Sequence, residues 1–142
     1  MASHVDALFL KPAHGDPMSR VPSVLAIEGK GLEGDASFGR KRRQILLIEG
    51  ETLDSFGLKP GDVRENIVVR DFPLGELAIG VVIRAGEVLL EVTGACDPCD
   101  RMDRLSPGLQ ASIRGRRGIL AKAIKGGMIR MGDDVEELSS PS

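Results

Sequence analysis

Glycine and proline recur throughout this chain, and they constrain its fold more than any other feature. The 142 residues include 18 Gly and 8 Pro. Such a spread interrupts long helices and favours many short strands joined by turns. Apolar runs that are typical of strands cover residues 5–10, 23–27, 44–48, 65–69 and 88–92. The pattern predicts a mainly β protein, a closed or nearly closed β-barrel with short helices.

Short helices and a hairpin are predicted between and after these strands. Residues 49–56 carry apolar side chains on one helical face and are followed by glycine. A serine and a proline at residues 106–107 suit the start of a second helix. The sequence Gly-Asp-Asp at residues 132–134, between two apolar runs, resembles a hairpin turn. No repeat or linker is visible, so we expect one domain over residues 1–142, with a disordered tail at 139–142.

Composition excludes several classes of function. The formal net charge is −2, and the aromatic residues are four Phe with no Trp or Tyr. We therefore do not expect recognition of nucleic acid by stacking of aromatic side chains on bases, and we expect no nucleic-acid partner. No apolar run reaches the roughly 18 residues that a membrane span requires, and no signal-peptide pattern is present. We therefore expect a cytoplasmic protein with no membrane contact.

Both cysteines lie in one short segment that follows an apolar run. Cys96 and Cys99 are two residues apart, directly after the predicted strand at 88–92. A strand that delivers a thiol to a loop places a nucleophilic, metal-binding atom within reach of a ligand. The aspartates on both sides of the second thiol, Asp97 and Asp100, argue against its deep burial.

Other interpretations of the cysteine pair remain open. Cys99 could be a small buried apolar residue. The pair could form a thioredoxin-like dithiol, although that motif opens a helix in a βαβ unit and this chain is rich in strands. It could also be half of a zinc site, but a second cysteine pair is absent, and His4 and His14 lie far away in the sequence.

Basic residues and glycines suggest a place for an anion. Arg43 directly precedes the buried-looking strand at 44–48, where a guanidinium can bind phosphate with two hydrogen bonds. The glycine-rich residues 31–35 would let backbone N–H groups approach an anion closely. Asn66 either caps a turn or bonds a ligand. The other basic residues in clusters have the usual interpretation of a solvated face; they are Arg40, Lys41, Arg42, Arg114, Arg116 and Arg117.

Five short motifs occur in the order that one family shows. They are Gly31-Leu32-Glu33-Gly34-Asp35, Arg43-Gln44-Ile45-Leu46-Leu47, Arg64-Glu65-Asn66-Ile67-Val68-Val69, the segment from Gly94 to Pro98-Cys99, and Gly132-Asp133 with Val135. Together they resemble the MOSC domain, the C-terminal domain of molybdenum cofactor sulfurases. The resemblance spans residues 20–138.

The resemblance implies a fold and a set of site residues. The fold is a β-barrel of the pyruvate-kinase barrel-domain type. Cys99 falls on the family cysteine that is the thiolate ligand of molybdenum cofactor, or that carries sulfur as a persulfide. Arg43 and the loop containing Gly34 would hold the pterin phosphate. Asp35 and Asn66 fall on motif positions and are expected to line the pocket.

The function that the resemblance implies has two forms. The protein would be a molybdenum-cofactor-dependent oxidoreductase that reduces N-hydroxylated compounds with electrons from an outside reductase. Alternatively, it would be a sulfurtransferase or non-catalytic carrier that docks to a cysteine desulfurase, or a degenerate barrel with a structural Cys99. Many family members have a histidine where this chain has residues 36–38, Ala-Ser-Phe. Cys96 would be a resolving thiol or simply a small residue.

Overall fold

Short strands dominate the structure, as the glycine and proline content predicts. The computed structural model of the protein describes residues 2–13, 17–97 and 101–139. Within these residues the strands, in chain order, are β1 (His4–Leu10), β2 (Ser19–Val21), β3 (Ser23–Ile27), β4 (Gly31–Leu32), β5 (Ile45–Glu49), β6 (Ile67–Arg70), β7 (Val82–Ala85), β8 (Val88–Ala95), β9 (Ile119–Lys125), β10 (Gly127–Arg130) and β11 (Val135–Ser139).

The described helices are short and lie between strands. They are α1 (Gly50–Ser55), α2 (Arg101–Leu105), α3 (Leu109–Ser112) and a single 3-10 turn (Leu74–Glu76). No helix among the described residues is long and apolar enough to cross a membrane.

The strands form two sheets of unequal size. The larger sheet has the order β11-β7-β8-β9-β5-β6-β1-β2, and the smaller has the order β10-β3-β4. β5 and β6 run parallel, with α1 in the connection between them. The other pairings, including the long pairing of β8 with β9, are antiparallel. This topology sets the end of β8, and hence Cys96, beside the start of β9.

The larger sheet curls but does not close. Backbone hydrogen bonds join β1 to the turn before β11: the Val5 N–H donates to the Asp133 carbonyl, and the Gly132 N–H donates to the Val5 carbonyl. His4 and Asp134 form an isolated bridge beside them. In the described part of the chain, however, no ladder between strands joins the two ends of the sheet. The mainly β class is confirmed, and the closed or nearly closed barrel is not.

Alternation along the strands divides the apolar residues between two cores. In β6, Ile67 and Val69 belong to the core between the two sheets, whereas Val68 faces a second core under the helices. Successive side chains of a strand point to opposite faces, so one strand supplies both cores. The second core contains Met102 of α2 and Ile113, which follows α3. It therefore fixes the helices that come after the cysteines.

The strand predictions are confirmed, and two local predictions are corrected. The predicted strands at residues 5–10, 23–27, 44–48, 65–69 and 88–92 match β1, β3, β5, β6 and β8, and the helix at 49–56 matches α1. The hairpin at 132–134 is wrong, because β10 pairs with β3 while β11 pairs with β7. The second predicted helix has its N-cap at Gly108 rather than at Ser106, since the Ser106 N–H still bonds to Met102 of α2. Apart from Ser139, the predicted tail lies outside the described residues.

Candidate functional site

The segment with the cysteines is anchored on its upstream side by Cys96. The Cys96 N–H donates to the Gly118 carbonyl at 2.9 Å, which extends the pairing of β8 with β9 by one residue. Its side chain is 8% exposed and clusters with Leu46 and Leu120. Cys96 therefore behaves as a small apolar residue that fixes the chain.

On its downstream side the segment is anchored by α2. Met102, in the second residue of this helix, is 0% exposed and packs in the core under the helices. The Asp103 carboxylate accepts the Gln110 N–H at 2.9 Å, which ties α2 to α3. The chain is thus held firmly on both sides of residues 98–100.

Cys99 itself, with Pro98 and Asp100, lies outside the described residues. Its role as catalytic thiolate and metal ligand stays a prediction. The described residues that precede and follow it in the sequence line two cavities of different character.

An apolar cavity borders the upstream end. It encloses about 360 Å³ and is lined largely by aliphatic side chains and glycines. Gly94 and Ala95 of β8 form the wall nearest to the cysteines, and Glu49 and Arg116 are its charged lining residues. We call this space the apolar cavity.

A basic cavity borders the downstream end. It encloses about 660 Å³, and Arg64 and Arg104 contribute two cationic side chains to its wall, against one acidic residue, Asp62. Phe9 and Leu105 add apolar surface. We call this space the basic cavity, since its lining suits an anionic group.

Arg64 enters the basic cavity from a strained turn. Its backbone has φ +64°, a region that side-chain-bearing residues rarely adopt. Holding a non-glycine residue there costs roughly 1–3 kcal/mol, and such strain concentrates at functional sites. The Arg64 N–H donates to the Gly61 carbonyl at 3.0 Å. A Cβ at Gly61 would lie 3.1 Å from the Phe9 ring, so this turn is also tightly packed.

Two buried charged residues brace this turn from behind. One oxygen of the Glu65 carboxylate accepts the Gly61 N–H at 2.7 Å. The Arg117 guanidinium donates from Nη2 to the Val63 carbonyl at 2.7 Å. Glu65 is 0% exposed and Arg117 only 6%. The turn that carries Arg64 is therefore held by side chains rather than by regular strand pairing.

The brace leaves polar atoms without partners among the described residues. They are Oε1 of Glu65 and the Nε and Nη1 atoms of Arg117. Burial raises the pKa of Glu65 to about 7, although its bond from Gly61 and the charge of Arg117 oppose this shift. Near neutral pH, then, this carboxyl is partly protonated.

Arg117 corrects one prediction from the sequence. The cluster Arg114, Arg116 and Arg117 was expected to form a solvated face. Arg114 and Arg116 are exposed, but Arg117 is buried. A charge run gives no signal for this difference, because burial depends on Arg117 following α3 and preceding β9 beside the turn at Val63.

Asp35 and Asn66, which belong to two different motifs of the sequence, are hydrogen-bonded to each other. The Asn66 side-chain N–H₂ donates to Asp35 at 3.0 Å and to the Phe9 carbonyl at 3.2 Å. Asp35 also accepts the backbone N–H groups of Lys11 and Ser37. Both residues are buried. They fix the backbone behind Phe9, whose ring faces the basic cavity.

The other predicted anion donors lie outside the two cavities. Arg43 is exposed at the start of β5, and Gly34 is exposed in the loop beside Asp35 with φ +87°. Neither lines the apolar or the basic cavity, and neither do Asp35 and Asn66. Their roles as ligands stay predictions.

Sequence reasoning missed the contributions of Arg64, Glu65 and Arg117. The first two belong to the quoted motif at residues 64–69, so a signal existed, but it did not separate a cavity residue from a buried brace. Among the described residues no three His, Cys, Asp or Glu side chains are close enough to hold a metal ion by themselves.

Fold and geometry together define a class: a mainly β domain in which residues directly before Cys96 line an apolar cavity and residues of α2 line a basic one. The comparison with protein families then gives the particular assignment. The chain belongs to the MOSC domain family, whose model matches residues 35–136. The matched region contains the cysteine segment and both braced sides of it. No curated protein sequence matches the chain.

Solved structures support the fold. The YuaD protein of Bacillus subtilis superposes with a TM-score of 0.80 at 20% identity, covering 95% of this chain and 94% of that one. YiiM of Escherichia coli gives 0.75 at 21% identity, with coverage of 100% and 72%. YiiM of Geobacillus stearothermophilus gives 0.75 at 16% identity, with coverage of 96% and 75%. At these identities the likeness concerns the fold alone.

Proposed function

We propose that this protein binds molybdenum cofactor, with the Cys99 thiolate as the protein ligand of the metal. MOSC domains are associated with this cofactor, and the chain belongs to that family. The observation that carries the proposal is the basic cavity at the downstream end of the cysteine segment. It offers the positive charge of Arg64 and of Arg104, which belongs to α2, the helix that follows the segment to which the family resemblance assigns the metal ligand.

The residues of the basic cavity fit the cofactor. A phosphate-bearing pterin needs cationic donors and a space of several hundred cubic ångströms. Arg64 and Arg104 supply two guanidinium groups in a cavity of about 660 Å³. Arg64 is also set in a strained backbone conformation, which is typical of residues held in place for a ligand. In this proposal both side chains bind the phosphate, and Arg43 is a further donor.

Cys99 would act as a soft ligand. Thiolates select soft metals, and the cofactor's dithiolene leaves a position for one more sulfur. Cys96 is buried against Leu46 and Leu120, so its assigned role is to fix the chain. When bound, the cofactor supplies oxygen-atom acceptance and redox chemistry. The family resemblance then suggests reduction of N-hydroxylated compounds in the cytoplasm, with electrons from a separate reductase.

The alternative is a sulfur carrier. In that case a cysteine desulfurase would leave a persulfide on Cys99, and the chain would pass the sulfur on without catalysing a redox step. This role requires an accessible Cys99 but gives the Arg64 and Arg104 cavity no function. The strained, braced turn of Arg64 therefore favours cofactor binding.

One experiment distinguishes cofactor binding from sulfur carriage. The protein is expressed in cells that supply molybdenum cofactor, and the bound molybdenum is measured for the wild type, Cys99→Ser and Cys96→Ala. Cofactor binding predicts metal in the wild type and in Cys96→Ala, and at least a tenfold loss in Cys99→Ser. Equal metal in all three proteins would reject Cys99 as ligand. A persulfide on Cys99 after incubation with a cysteine desulfurase, with no bound molybdenum, would favour the carrier.

A further inference from the structure

The apolar cavity is a second space beside the cysteine segment, separate from the basic cavity. The two share no lining residue. Its volume of about 360 Å³ is at the small end of the range of ligand pockets, which suits a compound of one or two rings. Its aliphatic lining comes from residues such as Leu74, Leu77 and Ile119.

A glycine of β8, Gly94, forms part of the wall of this cavity. Gly94 lies within the strand, where glycine weakens pairing and is often found at a bulge or at close ligand approach. The register of β8 against β9 shifts between Val92 and Gly94, so a bulge is present. Yet Gly94 has no positive φ, and a Cβ there would meet nothing within 4 Å. The backbone tolerates a side chain at this position, and the glycine leaves free space.

Gly118 also lines the cavity, but unlike Gly94 it lies in closely packed surroundings. It has φ +116°, and a Cβ there would lie 2.5 Å from the Leu47 carbonyl oxygen. Close backbone packing therefore demands that glycine. Gly75 resembles Gly94, because it has no positive φ and open space around its Cβ position. Neither close packing nor backbone conformation therefore requires glycine at these two positions of the cavity wall.

The charges around the cavity favour a neutral ligand. Glu49 and Arg116 contribute one negative and one positive residue to the lining. The Arg116 guanidinium already donates to the Ser55 hydroxyl at 3.1 Å and lies over the Phe56 ring. Ile79 lines the cavity and is 67% exposed, which leaves apolar surface that a ligand would remove from water.

We propose that the apolar cavity binds neutral ring compounds and forms the substrate pocket for the chemistry at Cys99. Binding of the ring follows from the cavity alone, whereas its use as a substrate pocket rests on the proposed function. The substrate class is accordingly an apolar ring that carries a polar group, with the ring between Gly94 and Leu77. The ring is held by burial of apolar surface, and charge contributes little.

The test is a titration of the full chain with indole, a neutral bicyclic compound, followed by amide chemical shifts. Saturable shifts are expected at Gly94, Ala95 and Ile119. Gly94→Val and Gly75→Val place methyl groups in the cavity and should each weaken indole binding at least tenfold. Thr93→Val is the matched control, because Thr93 is the neighbouring residue of β8 and bonds to Arg42 outside the cavity. It should leave indole binding unchanged.

Two results would overturn this inference. One is the absence of saturable shifts in the wild type, and the other is equal indole affinity in the wild type and both glycine variants. Inositol, a polar ring of similar size, should cause no shifts, and binding equal to that of indole would also count against an apolar site. Cys99→Ser should bind indole normally. Its loss of molybdenum is scored separately, so failure of the proposed function and failure of the cavity are distinguishable.

Discussion

Residues that precede the cysteine segment line the apolar cavity and residues that follow it line the basic cavity, but different features of the chain build the two cavities. The basic cavity is shaped by charged side chains: Arg64 on a strained turn, with Glu65 and Arg117 buried behind it. The apolar cavity is lined largely by aliphatic side chains and by glycines, and packing does not require the glycine at Gly94. The basic cavity costs folding free energy through backbone strain and buried charge. The apolar cavity costs folding free energy because its space is not filled by apolar side chains.

This difference suggests that the two cavities have different roles in the proposed function. Buried charge and backbone strain are retained where they orient a group for a charged ligand. An unfilled apolar space is retained where a ligand supplies the missing contacts. The basic side would then hold the cofactor, and the apolar side the substrate. The predictions below change the basic side, and where ligand binding is measured the apolar side serves as the reference.

The largest effect is expected from Met102→Ala. Met102 is fully buried and anchors α2 on the downstream side of the segment. Removing a buried Met side chain costs about 2–5 kcal/mol of unfolding free energy. Denaturant unfolding measures the loss, with Leu105→Ala as control, since Leu105 lies in the same helix and is partly exposed. A loss for Met102→Ala no greater than for Leu105→Ala would contradict the role of this anchor.

Glu65 should make the stability of the protein depend on pH. Burial raises its folded-state pKa to about 7 from an ordinary value of 4.5, so the folded protein binds this proton more tightly than the unfolded chain. Its contribution is therefore fully present below pH 4.5 and is lost as the pH rises through 7, by about 3 kcal/mol in total.

The measurement is the unfolding free energy of the wild type and Glu65→Gln from pH 4.5 to 8. In Glu65→Gln, the unfolding free energy should fall much less across this pH range than it does in the wild type. Parallel curves for the two proteins would show that Glu65 is not the titrating group.

A smaller effect is expected from Arg64→Gly. Glycine relieves the strain of φ +64°, so the unfolding free energy should change by no more than about 1 kcal/mol. Loss of a charge-assisted bond to phosphate should weaken cofactor binding by roughly ten- to a hundredfold. Indole binding should be unchanged. Arg84→Ala is the control, because Arg84 pairs with Glu136 on the surface and lines neither cavity. If Arg64→Gly and Arg84→Ala retain equal amounts of cofactor, Arg64 does not bind it.

Local patterns in the sequence predicted the strands but not how they pair. The run at residues 44–48 is buried on both faces, as its four consecutive apolar residues indicated. The turn at 132–134 looked like a hairpin because two apolar runs flank it. Its flanking strands β10 and β11 belong to different sheets, and no local pattern reports such a partner choice.

The candidate site was predictable only in part, because motifs do not show what their polar side chains bind. Asp35 and Asn66 fall on two of the motifs and were expected to line the pocket, and the structure shows them hydrogen-bonded to each other. Their polar atoms bind the protein's own backbone, which a motif cannot distinguish from ligand binding. The burial of Arg117 and the free space at Gly94 depend on contacts between distant parts of the chain. Neither is encoded in residue spacing.

X-ray absorption of molybdenum-loaded protein tests the central claim most directly, because it counts the sulfur atoms bound to the metal. The account predicts one more sulfur in the wild type than in Cys99→Ser, with Cys96→Ala equal to the wild type. The same number of sulfur ligands in wild type and Cys99→Ser would contradict it.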